Sequence, residues 1–505
     1  MRGGTVLRGV LAALCCGGMF LAAGPSEPAF PGDHRQLKGT LSFEGVQAFL
    51  KTVANPGLIT VTEEGRSAGG RPIFLVRLNR GGAKARFKAF FYAQQHGNEV
   101  SGKDAQLYLI RSIAQRPERL PEDVDLYLMP VVNPDGAVAN RRTNDAKADL
   151  NRDHLLQSQP ETQTLYRAVR RLLPHLAVDC HEFTRDGEDY QRVGSDHVRR
   201  SWERWPLITM DACNHPLIPA GLREAALQRV ASAAPLMAQA GYPYERYTVG
   251  GPAPEEEIRP STPEVDDGRN GLGSHGSLSL IIEAGVRRSA ANPQADLGAR
   301  VDAYLKLFDH LLGTPESRAQ VFALSEKAKA EPLPAFIATN TFWANVGGRV
   351  RTVKLAEPVT GQVVEIPTAN LMLDLVVKHS VPTPRAYVIE ARVAATFRPL
   401  LEHHGLSFRT LSAPEKMRTE RCRLLRLEAP YDDLYQRYEN RQIVARDTLA
   451  ERELPPGTLV VPLDQPLARR VIQVLEPCLL YGLYSYPEFR ALALPDGTLP
   501  VLRLP

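Results

Sequence analysis

A short polar string near the start of the chain combines two side chains that zinc uses as ligands. His96 and Glu99 stand three positions apart in Gln95-His96-Gly97-Asn98-Glu99. A strand that turns into a helix here would aim the imidazole and the carboxylate at one point, and both groups bind zinc in proteins. A His-x-x-acid pattern arises by chance about once in a chain of this composition. The interpretation of His96 and Glu99 as zinc ligands therefore depends on the other polar residues along the chain.

Three further polar clusters follow predicted strands. The second cluster comes after the strand predicted at residues 124–130, His181 follows the strand at 175–179, and Glu283 follows the very apolar residues 278–282. Burying an ionisable group beside so apolar a run is costly unless it has a partner or a function. Open α/β sheets gather their active sites at the carboxyl ends of strands. We therefore expect all four clusters to meet. The second cluster contains Asn133-Pro134-Asp135-Gly136, Arg141-Arg142 and Asp149-Leu150-Asn151-Arg152.

The elements that must position these groups alternate along the first part of the chain. Between about residues 58 and 313, short apolar runs alternate with amphipathic stretches of helix length, which is typical of an α/β sheet covered by helices. The tetrapeptide at 133–136 is predicted to form a turn. We predict strands at 88–94, 124–130, 175–179 and 277–282, and helices at 105–113, 165–173, 222–240 and 297–312.

A chain of 505 residues is too long to fold around one ordinary hydrophobic core, so two domains are expected. Residues 314–333 are rich in Ala, Glu, Lys and Pro, and β-branched runs follow them. We place the catalytic domain at 40–315 and a smaller, β-rich α+β domain at 330–505. The second domain shows no catalytic constellation, and its role is not predicted.

Charge and hydropathy limit the partners and the location. The chain has 61 Lys and Arg against 57 Asp and Glu and no long block of like charge, which excludes nucleic acid as a partner. Its longest apolar run, residues 10–23, is shorter than the roughly 18–20 residues that cross a bilayer. Basic residues precede this run and small residues end it, so residues 1–23 are predicted to be a signal peptide of a secreted or periplasmic protein. A lipid anchor on Cys15 or Cys16 is left open.

In this order and context, the clusters resemble the zinc carboxypeptidases of the funnelin type, peptidase family M14, over roughly residues 40–315. The resemblance implies a mixed, mostly parallel sheet with helices on both faces, and a larger bacterial type with a C-terminal accessory domain. It implies one zinc ion per chain, held by His96, Glu99 and His181 with a position left for water. Glu283 corresponds to the general base of the family.

The resemblance also implies how a peptide with a free C-terminal carboxylate would be held. Arg142 corresponds to the arginine that stabilises the oxyanion, with Arg141 as the adjacent alternative. Asn151 and Arg152 correspond to the pair that grips the carboxylate. Asp149 corresponds to the carboxylate that hydrogen-bonds His96 and fixes its tautomer. The oligomeric state is not predicted.

One feature of the family is missing at its usual place. A substrate-gating tyrosine is expected some twenty residues before the base, but residues 259–270 contain none. Tyr242, Tyr244 and Tyr247 are the candidates for a substitute, with surface aromatic residues as the alternative. The preference for the C-terminal side chain is therefore not predicted.

Several other chemically capable residues are predicted to have no catalytic part. We interpret Glu182 as a solvated neighbour of His181, His154 as an exposed loop residue, and Cys180 as a small buried side chain turned away from His181. The string at 271–276 satisfies GxGxxG, but it precedes a strand, so we predict a flexible loop there instead of a dinucleotide site. Four cysteines follow the signal, and they permit the pairs Cys180 with Cys213 and Cys422 with Cys478.

Three functions remain in competition. The leading hypothesis is a metallocarboxypeptidase that removes C-terminal residues from peptides. Enzymes similar to aspartoacylase and succinylglutamate desuccinylase share His-Gly-Asn-Glu and Asp-Leu-Asn-Arg strings but hydrolyse N-acyl amino acids. Asn133-Pro134-Asp135-Gly136 and the export signal favour the peptidase. The third hypothesis is a zinc-binding scaffold without turnover, which the missing tyrosine suggests and the complete set of His and Glu residues opposes.

Overall fold

A computed structural model of the chain describes residues 32–505, except 38, 187–201, 252–255, 289, 358–359 and 426–443, where strand backbone alone is assigned at 431–432 and 437–438. The predicted signal peptide, with Cys15 and Cys16, lies outside the described residues. Within the described part of the chain, no helix combines the length and apolar character needed to cross a membrane.

Helices and strands are numbered separately along the chain. The helices are α1 (Phe43–Val53), α2 (Ser101–Gln115), α3 (Pro134–Ala139), α4 (Pro160–Leu172), α5 (Ala220–Gln239), α6 (Gly268–Gly273), α7 (Pro293–Leu312), α8 (Pro315–Ala330), α9 (Ala394–His404), α10 (Ala468–Leu475) and α11 (Pro487–Arg490). The strands are β1 (Ile59–Arg66), β2 (Pro72–Asn79), β3 (Phe87–Ala93), β4 (Val124–Met129), β5 (Leu176–Thr184), β6 (Glu203–Arg204), β7 (Ile208–Ala212), β8 (Tyr244–Arg246), β9 (Val249–Gly250), β10 (Ile258–Arg259), β11 (Leu278–Val286), β12 (Phe336–Ala344), β13 (Arg351–Ala356), β14 (Val363–Thr368), β15 (Asp374–Pro382), β16 (Ala386–Ile389), β17 (Arg409–Thr410), β18 (Glu415–Thr419), β19 (Cys422–Leu424), β20 (Tyr431–Asp432), β21 (Arg437–Tyr438), β22 (Val444–Arg446), β23 (Ala450–Leu454), β24 (Leu459–Pro462) and β25 (Val501–Leu504).

An eight-stranded sheet forms the centre of the first region, in the order β1-β2-β4-β3-β5-β11-β7-β8. Among the described strands, four of its pairings are parallel and three are antiparallel. The predicted mixed, mostly parallel α/β sheet is confirmed.

The sheet is buried on both faces because side chains alternate along each strand. In β3, Phe87, Ala89 and Phe91 belong to one core, which they share with apolar residues of α2, α5 and α7. Phe90 and Tyr92 belong to a second core with residues of α4 and α6. Cys180 of β5 lies in the first core, as predicted, so its neighbour His181 is directed to the opposite side.

The C-terminal region is built around a four-stranded antiparallel sheet in the order β17-β24-β16-β25. Its core includes apolar residues of α9 and α10, and Leu155, Leu217 and Val265 of the first region belong to the same core. Strand β13 also pairs with β6 across the two regions. The C-terminal region therefore completes its core with side chains that come from near the polar clusters.

The stretch at 314–333, predicted to be a boundary, is largely helix α8. Its Val321 and Ala328 lie in the large core beside the central sheet, and the Arg318 guanidinium pairs with Asp123 at 2.7 Å. We propose that the junction between the regions follows α8, at residues 331–335.

A predicted turn and a predicted loop both contain short helices. The tetrapeptide at 133–136 begins α3, because Asn133 caps it by accepting from the Gly136 amide at 2.8 Å and proline suits the first helical position. Gly271–Gly273 of the glycine string end α6, whose residues are all buried and whose cap, Asp267, accepts from the Asn270 amide. The prediction of a flexible loop there is wrong, because packing on both sides holds the segment.

Candidate metal centre

Two neighbouring parallel strands bring His96, Glu99 and His181 together. The chain leaves β3 at Ala93, turns, and enters α2 at Ser101, so His96 and Glu99 lie on the connection between strand and helix. Strand β5 lies beside β3, with Cys180 paired to Ala93, and continues to Thr184. His181 is therefore inside a strand, not beyond its end as the sequence predicted, because its polar ring has partners that keep it in the ladder.

The ligand atoms of these three residues converge on one point. His96 Nδ1 lies 2.7 Å from Glu99 Oε1, and His181 Nδ1 lies 2.9 Å from Glu99 Oε2. The two Nδ1 atoms are 3.1 Å apart. A tetrahedral zinc ion with bonds near 2.0 Å separates its ligand atoms by roughly 3.3 Å. The described residues thus contain a three-ligand cluster of the kind predicted.

The far nitrogens of both rings determine which tautomer faces that point. His96 Nε2 lies 3.1 Å from Asp149 Oδ1, and His181 Nε2 lies 2.9 Å from Asp179 Oδ1. With a cation at the cluster, the hydrogen of each ring belongs on Nε2, where Asp149 or Asp179 accepts it, and each Nδ1 presents a lone pair. Two bare ring nitrogens and a carboxylate then face one another, an arrangement that a cation stabilises. The donor set fits zinc.

The charges of the cluster shift its pKa values in opposite directions. Burial raises the pKa of Glu99, but His96 and His181 outweigh it and hold that pKa below its ordinary value. Burial lowers the pKa of His181, but Asp179 and Glu99 outweigh it and raise that pKa well above its ordinary value. Glu99 therefore stays ionised, and the two carboxylates beside His181 favour a positive charge at that position.

Glu283 lies directly beside this cluster. In the parallel pairing of β5 and β11, Glu283 is the register partner of His181. Strand β11 continues to Val286, so Glu283 is also inside a strand instead of at its end. Burial raises the pKa of Glu283 to about 7, with His181 acting in the opposite direction. A carboxyl group with a pKa near neutrality suits proton transfer in both directions.

The structure separates the two adjacent arginines. Arg142 donates from Nε to Asp149 Oδ2 at 2.8 Å, and its Nη1 lies 3.8 Å from Glu99 Oε1. Arg141 pairs with Asp145 and donates to the backbone of Thr143 and Asn144. Only Arg142 of this pair reaches the ligand cluster, while 39 % of its side chain stays exposed.

Asn151 and Arg152 lie on the same side of the cluster. Asn151 is buried; its Oδ1 accepts from the Gly268 amide at 2.9 Å, and its Nδ2 lies 3.3 Å from His181 Nε2. Arg152 donates from Nη1 to the Asn151 carbonyl at 2.7 Å. The Asn151 side-chain oxygen thus holds the first residue of α6 in place. The sequence did not indicate this contact.

Of the three candidate tyrosines, Tyr247 alone lies near the cluster. The hydroxyl of Tyr242 donates to Asp302 and that of Tyr244 to the Val230 carbonyl, both away from the site. The Tyr247 ring lies 6.2 Å from that of Phe183. Burial raises its pKa, and the next contribution comes from Glu283. Sequence spacing could not separate the three tyrosines.

Two predictions of solvent exposure are wrong. The side chain of Glu182 is only 8 % exposed and pairs with Arg300, and it also accepts from the amide and hydroxyl of Ser101. His154 is fully buried, with Nε2 at 2.7 Å from Gln95 Oε1. Arg300 lies 118 positions from Glu182, and Gln95 lies 59 positions from His154. Local composition therefore does not indicate that either residue is shielded from solvent.

Asp179 and Gln95 also belong to the site, although they were not among the predicted site residues. Gln95 donates from Nε2 to Asp179 at 2.8 Å, and Asp179 accepts from His181. Strand alternation was the available signal, since residues 179 and 181 share a face. All four cysteines in the described residues are free thiols, so neither permitted bridge is formed.

Comparison with known proteins agrees with this geometry. Residues 46–171 match the family described as zinc carboxypeptidase. This region is therefore similar to the zinc carboxypeptidases. The resemblance predicted from the sequence is thereby confirmed. The match spans His96, Glu99, the two arginines at 142 and 152, Asp149 and Asn151, while His181 and Glu283 lie beyond it.

Individual relatives are similar over shorter stretches. Carboxypeptidase 2 of Trichophyton rubrum is 35% identical over 92 residues, which are 18% of this chain and 17% of the relative. Zinc carboxypeptidase A 1 of Drosophila melanogaster is 32% identical over 107 residues, 19% of this chain and 25% of the relative. The matched stretch thus spans a quarter or less of the length of these relatives.

Solved structures are similar over a larger share of the chain. A metallo-carboxypeptidase from Pseudomonas aeruginosa covers 55% of this chain and 70% of its own, with 24% identity and a TM-score of 0.42. A metallo-carboxypeptidase from Burkholderia cenocepacia covers 54% and 69%, with 20% identity and a TM-score of 0.40.

Replacing Asp179 by Asn is expected to weaken zinc binding. The amide presents a weaker acceptor to His181 Nε2, so the tautomer that exposes Nδ1 loses support. Outer partners of this kind change metal affinity by about 10–100-fold. Competition with a chromophoric chelator measures the change. An unchanged zinc Kd in folded Asp179→Asn protein would contradict the assigned part of Asp179.

Proposed function

We propose that the protein is a zinc-dependent metallocarboxypeptidase that hydrolyses C-terminal residues from peptides. The observation that carries the proposal is the convergence of His96, Glu99 and His181, with Glu283 in register beside His181. The family match supports the same reaction class. Neither the N-acyl amino acid deacylase nor the silent scaffold is favoured by a specific contact.

The chain's own groups would divide the work of hydrolysis. A zinc ion at the cluster would polarise the scissile carbonyl and acidify the attacking water. Glu283 takes the proton of that water and returns it to the leaving amine, a transfer that its raised pKa allows near neutral pH. Arg142 faces the cluster with an accessible guanidinium, which suits the negative charge that develops on the carbonyl oxygen.

Recognition of the substrate carboxylate falls to Asn151 and Arg152. A planar guanidinium offers parallel donors to a carboxylate. The formal net charge of the whole chain is only +4, so attraction of an anionic terminus must come from local arginines. We also propose that the chain is exported and that residues 1–23 are removed. The catalytic domain proposed at 40–315 and the C-terminal domain proposed at 330–505 would then meet at the junction at residues 331–335.

The proposal is tested with purified, zinc-loaded full-length protein. A peptide library with free C-termini and matched peptides with amidated C-termini are incubated with it and read by mass spectrometry. We expect loss of single C-terminal residues from the free peptides only, abolished by a chelator and restored by zinc. Hydrolysis of acetyl-aspartate or succinyl-glutamate without peptide cleavage would support the deacylase instead. Bound zinc without any turnover would support the scaffold.

A further inference from the structure

A buried arginine of the C-terminal region reaches the segment that carries the carboxylate-binding candidates. Arg470 of α10 is fully buried and donates to the backbone carbonyl of His154. It also donates to His404 Nδ1 at 3.1 Å and to Gln473 Oε1 at 3.2 Å, and its guanidinium lies 5.5 Å from the centre of the Tyr166 ring. Burying a cation is costly, so these contacts fix the position of the His154 backbone.

A continuous chain of hydrogen bonds leads from His154 to the metal ligand His181. Gln95 Nε2 donates to Asp179 at 2.8 Å, which fixes the orientation of its amide. Gln95 Oε1 then faces His154 Nε2 at 2.7 Å, so His154 Nε2 is the donor. Tyr166 donates its hydroxyl hydrogen to His154 Nδ1 at 3.0 Å. Asp179 accepts from His181 Nε2 at 2.9 Å.

Every member of this chain is closed to solvent. His154 and Asp179 are 0 % exposed, Gln95 is 1 % exposed and His181 is 2 % exposed. Water therefore cannot replace a lost donor at low cost. Gly268 packs directly against two members of this chain. A carbon atom added there would lie 2.6 Å from Asp179 Oδ2 and 3.1 Å from His154 Cε1. The orientation of the His181 ring depends on each link.

We propose that the C-terminal region forms part of the metal centre, because Arg470 and His154 position the zinc ligand His181. Both are positioning residues that do not touch the substrate. The inference rests on the proposed metal site and assigns a role to residues 330–505. Leu155, the neighbour of His154, and Val265 support it, since both pack into the C-terminal core.

The first test replaces His154. In His154→Leu the donor to Gln95 is lost, whereas His154→Gln keeps a donor near the position of Nε2. We expect a zinc Kd about 10-fold weaker for the Leu variant, the low end of the range for outer partners, and recovery in the Gln variant. The absorption spectrum of the cobalt-substituted protein should shift in the Leu variant alone. His403→Gln, on the partly exposed neighbour of His404 in α9, is the matched control.

The second test asks whether Arg470 acts through His154. Arg470→Met should weaken zinc binding in the same direction, and the double variant His154→Leu with Arg470→Met should bind zinc as weakly as the worse single variant. Additive effects would show that Arg470 does not act along this path, and they would overturn the inference.

The remaining outcomes are also decisive. Equal zinc affinity of wild type and folded His154→Leu overturns the inference and leaves the proposed function intact, whereas wild type that binds no zinc refutes the metal site itself. If His154→Leu does not fold, His154→Asn replaces it, since Asn is too short to reach Gln95, and the same weakening is expected.

Discussion

Replacing Glu283 by Gln is expected to lower kcat for peptide hydrolysis by about 10²–10⁴-fold, the usual contribution of a positioned general base. The amide keeps the shape of the side chain but cannot accept the proton of the attacking water. Because Glu283 is a register partner of His181 and not a member of the ligand cluster, zinc content should stay at the wild-type value. Steady-state kinetics and metal analysis on the same preparation measure both quantities.

Glu245→Gln is the matched control for this substitution. Burial raises the pKa of Glu245 to about 7, as it does for Glu283, but Glu245 lies in the edge strand β8 of the same sheet. We expect kcat of this variant to remain close to wild type. Peptide hydrolysis by Glu283→Gln at the wild-type rate, with normal zinc content, would show that another group is the base.

Replacing His96 by Ala is expected to abolish tight zinc binding. The substitution removes one of three converging ligand atoms and leaves Asp149 without its ring partner. In wild type, zinc at 100 times its Kd should raise the free energy of unfolding by about 2.7 kcal/mol, because it binds the folded state alone. That stabilisation should disappear in His96→Ala. Metal analysis and thermal unfolding with and without zinc provide the measurements.

His379→Ala removes an exposed histidine of β15 and serves as the control for histidine content. Its zinc stoichiometry and zinc-dependent shift in Tm should equal those of wild type. One zinc per chain retained by His96→Ala would refute its part as a ligand.

The sequence indicated the meeting of the four polar clusters because that depends on where strands of one sheet lie. It placed the strand ends too early, since the apolar runs stop at Asp179 and Ile282 while the ladders continue through His181 and Glu283. A polar side chain remains inside a strand when partners surround it, and for His181 these are Asp179 of the same strand and Glu99 on the connection after β3. Apolar runs alone therefore underestimate such strands.

The sequence did not predict which single polar residues are buried, because their hydrogen-bond and ion-pair partners are remote in the chain. The backbone of His154 meets Arg470, 316 positions away, and Glu182 meets Arg300, 118 positions away. The glycines of α6 have a related explanation. A carbon atom added at Gly271 would lie 2.2 Å from the Tyr166 hydroxyl, so the small residue allows close packing and does not mark flexibility. Composition does not distinguish these two uses of glycine.

Strand β11 is paired along both edges, with β5 on one side and β7 on the other. A slip of one residue would turn Glu283 to the other face of the sheet, so the ladder itself fixes the face on which Glu283 lies. The segment between β8 and α6, which includes Tyr247, is a connection outside this ladder. Connections accept insertions and replacements more readily than paired strands do. The architecture therefore allows residues around the proposed substrate site to change while the position of the proposed base stays fixed.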